Sequence, residues 1–229
     1  MLQTPIALII IVITVIIYLG MVTLYRKFPI PFLLPVLTST IFIIAILKSF
    51  DLSYDFYMTG GHWLHSLLGP AVVSLAYPLF HQRKTIIKHA LPILAGVLTG
   101  LISGMFTLFL LAEIMSIPRD ILLSMIPKSI TTPVAMQVAN DIGGNPTLTV
   151  AFVMIAGISG AIMAPSLLKW FRIRSSLGTG IALGSSSHAI GTSKAFEYGE
   201  FTFSISSVSM TLSAIIGPIF GFLISKLLL

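Results

Sequence analysis

The stretch Met125-Ile126-Pro127-Lys128-Ser129-Ile130-Thr131-Thr132-Pro133-Val134-Ala135-Met136 decides the fold. Its flanks are apolar enough to enter a membrane, but its middle holds a lysine, three hydroxyls and two prolines, so no unbroken helix runs through it. Thr131 or Thr132 is suited to cap a new half-helix with Pro133 in its first turn. That start would place free N–H groups and a positive dipole end beside Lys128. A second stretch, Gly184-Ser185-Ser186-Ser187-His188-Ala189-Ile190-Gly191-Thr192-Ser193-Lys194, sets a cluster of hydroxyls beside glycines, which can likewise start a half-helix. Irregular backbone at membrane depth survives only where protein or a water-filled cavity covers it.

The rest of the chain shows that the solvent is lipid. Hydrophobic residues make up 56% of 229 and charged residues 9%, where a soluble domain carries roughly 25% charged. Mean hydropathy is +1.03. A soluble enzyme and a disordered tail are excluded, and with Cys 0 so is a disulfide-stapled module. Six runs, 4–25, 30–47, 67–80 extended back to 63, 91–111, 147–168 and 202–225, are read as spans; a core about 30 Å thick needs about 20 helical residues. Pro29 or Pro31 would open the second. Residues 48–63, with Gly60-Gly61 and several aromatics, read as a polar interfacial loop. The first run has no basic start and is read as a mature helix, not a cleaved signal. The fold class is therefore all-α and polytopic, with about six full transmembrane helices plus two re-entrant or broken-helix segments, 116–146 and 174–200.

Charge chooses between re-entry and crossing. If both segments crossed, giving eight spans, Lys and Arg outside the breaks would divide six against six. If both enter and return, Arg26, Lys27, Arg83, Lys84, Lys88, Lys169, Arg172, Arg174 and Lys194 share one side against Lys48, Arg119 and Lys226. That bias marks the first side as cytoplasmic and both termini as outside. The basic residues thus report orientation, and nucleic acid is not expected as a partner. Two opposed hairpins would bring both breaks to the midplane, the arrangement of carriers built from inverted repeats.

Small residues divide the chain again. Of 18 glycines, only 20, 60, 61 and 69 precede residue 90. Gly96/Gly100/Gly104, Ala156/Gly160/Ala164 and Ser213/Gly217/Gly221 each line one helix face at four-residue spacing and allow close backbone approach. Residues 1–90 read as a scaffold or partner surface, and 91–229 as a transport core within one membrane domain. An ionisable group at midplane depth is a functional candidate, and hydroxyls with helix N-termini make an anion site. The candidate binding set for a small carboxylate is Lys128, Ser129, Thr131, Thr132, Ser186, Ser187, His188 and Thr192. His188 and Glu197 are candidates for ion coupling. Ser187-His188 without Gly-x-Ser-x-Gly is a poor hydrolase, His62 and His65 are too few for a metal site, and no phosphate-binding loop occurs. Neither an enzyme nor a cofactor is expected.

Leu68-Gly69-Pro70-Ala71, the Lys128-Ser129-Ile130-Thr131-Thr132-Pro133 string, Gly143-Gly144 and Ser187-His188-Ala189-Ile190-Gly191-Thr192 together resemble the LrgB/CidB family over almost the whole length. The resemblance implies an antiholin-like or holin-like protein in the cell membrane. It also implies a smaller LrgA/CidA-type membrane partner, an influence on murein hydrolase activity and lysis, and homo- or hetero-oligomers. Members of the family are also implicated in moving small monocarboxylates, pyruvate in bacteria and glycolate or glycerate in plastids. Two functions follow as expectations: a monocarboxylate carrier, or a regulator of lysis without a selective substrate.

Overall fold

A computed structural model describes residues 3–30, 33–74 and 76–227, and every regular element among them is helical. The chain divides into two units, Met1–Ala71 and Val72–Leu229. The first holds α1 (Gln3–Lys27), α2 (Pro35–Ser49) and α3 (Tyr54–Ser66), with α4 (Leu68–Ser74) running into the second. The second continues through α5 (Ala76–His81), α6 (Arg83–Lys88), α7 (Ala90–Ile114), α8 (Arg119–Met125), a 3-10 turn (Ile126–Ser129) and α9 (Thr132–Asp141). It ends with α10 (Pro146–Trp170), α11 (Ser176–Ala195), a 3-10 turn (Phe196–Tyr198) and α12 (Glu200–Leu227).

Among the described residues four helices, α1, α7, α10 and α12, are long and apolar enough to cross a membrane, and α2 is a shorter apolar helix. The chain is an all-α polytopic membrane protein. In three places the N-terminal region differs from the sequence reading. Pro35, not Pro29, stands in the first turn of α2, and Pro31 lies outside the described residues. The expected third span is a series of short helices rather than one rod. The supposed loop at 48–63 is mostly helix α3, capped by Phe56 N donating to Ser53 Oγ at 3.1 Å. Gly60 there serves packing: a Cβ on it would lie 2.7 Å from the Ala7 carbonyl of α1. Thr14 and Tyr57 hydroxyls, 3.3 Å apart, join the same two helices.

The path of the second unit follows from which residues face one another. Gly96 and Gly100 of α7 lie against Ile181 and Ser185, so residues 176–187 run parallel to α7. Gly157 and Gly160 of α10 lie against His188 and Ser187, and Ala164 packs with Leu183, so α10 runs antiparallel to both. Hence α7 ends and α10 begins at the same face, and the chain between them enters and returns there. Its arms are tied at the base. Asn145 N donates to Ser124 Oγ at 2.7 Å, and Thr149 Oγ1 donates to the Ser124 carbonyl at 2.8 Å. A continuous helix would hold residues 124 and 144 about 30 Å apart, yet a Cβ on Gly144 would lie 2.8 Å from Ser124 N.

The second break is also a return. His188, at φ 42 and ψ −130, divides α11 into two arms. Gly191 abuts the Leu183 carbonyl, from which a straight helix would separate it by about 12 Å. Gly184 packs on Ser206, and Thr192 Oγ1 lies 3.1 Å from Ser206 Oγ, so both arms meet the same turn of α12. α12 begins where α11 does, with the Thr202 carbonyl 2.7 Å from a Cβ on Gly180. It passes the other hairpin at Gly217 against Ile130 and Gly221 against Val138. Two hairpins thus enter from opposite faces. Each of the three small-residue faces is a docking surface for a hairpin, and an apolar core including Ile93, Val97, Leu101, Ile130, Ile205 and Val208 fills the space between.

Candidate functional site

The hairpin tips meet through one hydrogen bond, His188 Nε2 to the Lys128 carbonyl at 2.9 Å. Ile130 leaves helical geometry at φ −118 and ψ 165, and Thr131 then caps α9 with Pro133 in the first turn. The Thr131 side chain makes no capping bond; its Oγ1 is buried without a partner.

Beside this junction lies a cavity of ≈ 620 Å³ between α7, α10, the first arm of α11 and the tip of the first hairpin. Its polar lining is Lys128, Ser129, Ser159, Ser185 and Ser186. Ser185 and Ser186 donate to carbonyls of their own helix at 2.7 Å, and Ser159 does the same at 2.6 Å, so their hydroxyl oxygens can still accept. Lys128 Nζ has a single polar contact, Ser129 Oγ at 3.4 Å, and no carboxylate pairs with it among the described residues. A cation in a membrane interior normally faces a counter-charge or a water-filled cavity. Here it faces the cavity.

Of the residues singled out from the sequence, Lys128, Ser129 and Ser186 line this space. Thr131, Thr132, Ser187, His188 and Thr192 do not: His188 bridges the tips, Ser187 packs behind Ser186 at 3.1 Å, and Thr192 faces α12. Glu197 lies beyond the second hairpin's return arm, bonded to Lys194 Nζ at 2.6 Å. Ser185 and Ser159 are lining residues that the sequence reading did not single out. Ser185 stood in the second hydroxyl-rich string; Ser159 stood in an ordinary span, and only its place one turn from Ala156 and next to Gly160 set it near the small-residue face.

The LrgB-like family pattern matches residues 14–227, a range that includes both hairpin tips. The chain belongs to the LrgB-like family. It is 62% identical over 219 residues to "Uncharacterized protein YxaC" of Bacillus subtilis (strain 168), covering 96% of this chain and 95% of that one. It is 38% identical over 213 residues to "Holin-like protein CidB" of Staphylococcus aureus (strain Mu50), covering 93% of both. It is 36% identical over 202 residues to "Uncharacterized protein YwbG" of Bacillus subtilis, covering 88% of this chain and 90% of that one. No solved structure matches. The match to LrgB-like proteins thus spans both hairpins and the helices that hold them, so the cavity lies wholly inside the shared region.

Proposed function

We propose that the protein is a carrier for small monocarboxylates such as pyruvate or glycolate in the cell membrane. The observation that carries this reading is the Lys128 ammonium, without a carboxylate partner among the described residues, beside four serines in an otherwise apolar cavity at the meeting of the two hairpin tips. A carboxylate accepts from Lys128 and from hydroxyls turned toward it, and each charge-assisted hydrogen bond is worth about 1.5–3 kcal/mol. His188 acts in this scheme as the positioning residue that fixes the backbone bearing Lys128. Orientation follows from the side bearing Arg83, Lys84, Lys88, Lys169, Arg172, Arg174 and Lys194, against Arg119 and Lys226 on the other. The richer side is cytoplasmic, which puts the C-terminal end of α12 outside and opens the cavity, along Leu167 to Ile173, toward the cytoplasm. Residues 1–90 serve as scaffold and as the surface for a smaller LrgA/CidA-type partner.

Uptake of labelled pyruvate and glycolate into vesicles, with and without such a partner, tests the proposal. Flux above empty vesicles that Lys128→Ala abolishes is the expected result; no flux in either partner state refutes the carrier. The name "Holin-like protein" borne by the staphylococcal relative favours a second reading, a regulator of murein hydrolase activity and lysis without a selective substrate. In that case substitutions in α1 and α2 alter lysis more than substitutions at the hairpin tips.

A further inference from the structure

The cavity is far larger than a three-carbon acid. Pyruvate has six heavy atoms; given about 30 Å³ each, as for water in the liquid, it fills on the order of 180 Å³, against ≈ 620 Å³. The polar atoms are confined to the middle of the cavity, around Lys128, Ser159 and Ser186. On one side of them lie Met125, Phe152 and Ile155; on the other, toward the cytoplasmic end, the longer stretch of lining is Met163, Leu167, Phe171, Ile173, Ala182 and Leu183, without a charged or hydroxyl side chain. Ser159 of α10 and Phe171, which caps that helix, are 12 residues apart, so this apolar trough is about 18 Å long.

A head-sized polar centre continuous with an apolar trough is the outline of an amphiphile. Resting on the carrier reading above, we infer that the preferred substrates are monocarboxylates with an apolar body of several carbons, with the carboxylate at Lys128 and the body along Met163, Leu167 and Ala182. The single cation selects one carboxylate over two, since a second would lie unpaired in the trough. A group that adds only apolar surface gains from burial there: about 0.8 kcal/mol per methylene, which is about fourfold in affinity.

The test is displacement of labelled pyruvate from the full-length protein in lipid nanodiscs by pyruvate, 2-oxobutanoate, 2-oxopentanoate and 2-oxohexanoate. This series keeps the head constant and stays ionised near neutral pH, so the tail is the only variable. The expected result is affinity that rises with each methylene, at least about tenfold across the series. Ala182→Leu, which fills the trough, and Leu167→Ser, which makes it polar, should each collapse the ratio of 2-oxohexanoate to pyruvate affinity. Pyruvate binding with no gain along the series, as when a lipid acyl chain or a second copy fills the trough, overturns the inference and leaves the carrier standing. A gain that survives both substitutions also overturns it. Absence of pyruvate binding that Lys128 governs refutes the carrier reading itself.

Discussion

Lys128 separates stability from binding at one residue. A half-buried ammonium whose single polar contact is 3.4 Å long costs desolvation that nothing nearby returns. Lys128→Met is therefore expected to leave the melting temperature of the unliganded protein unchanged or higher. Pyruvate at 100 times its dissociation constant should stabilise the wild type by about 2.7 kcal/mol and the variant not at all. A variant that melts lower yet is still stabilised by pyruvate places Lys128 in the packing instead. Glycine gives the opposite contrast. A Cβ on Gly184 or Gly191 meets the backbone carbonyls of Ser206 or Leu183, whereas one on Gly20 or Gly69 meets nothing within 4 Å. Alanine at 184 or 191 should cost about 1–3 kcal/mol by overpacking, and at 20 or 69 close to nothing, read as thermal shifts in detergent. The residues that line the site were legible only in part. Lys128, Ser129 and Ser186 were visible because polar groups are costly at that depth; His188 and Thr192 carried the same signal but use it to hold a hairpin. Sequence polarity marks the break, and only the fold tells which side of the hairpin faces the cavity.

At the level of elements, the two opposed hairpins were legible because charge and helix breakers agreed on them. The N-terminal region was less so. Gly60-Gly61 carried a loop signal, but Gly60 is where α3 presses on the α1 backbone, and tertiary packing overrode local propensity. The hairpins give a topological prediction that the absence of Cys makes simple to test. Arg119 and Asn140 sit at the two ends of the first hairpin, and Ser176 and Tyr198 at the two ends of the second; all four are exposed. Single cysteines at 119 and 140 should react from outside intact cells with an impermeant thiol reagent, and those at 176 and 198 only after the membrane is opened. Partners of one pair reacting from opposite faces would mean that the segment crosses. Cysteine at Gly144 is the wrong probe, because its side chain would strike the Ser124 backbone.

For the whole molecule the question is whether it carries or leaks. A pore offers its midplane to both faces at once, whereas a carrier offers it to one. In the second unit the cavity reaches from Ser186 to Ile173 at the basic face. Toward the other face its lining continues through Met125, Ile155 and Phe152, all apolar. On the carrier reading, Ser186 is reachable from the basic face and not from the other. Ser186 is the reporter of choice, since it is exposed in the cavity and its hydroxyl bonds only within its own arm. Ser186→Cys in oriented vesicles should be alkylated from the cytoplasmic side much faster than from outside. Pyruvate should slow that reaction in proportion to occupancy, and Lys128→Met should remove the protection without removing the reactivity. Equal alkylation from both sides, indifferent to pyruvate, is what a lysis-promoting pore would show, and it would move the second reading ahead of the first.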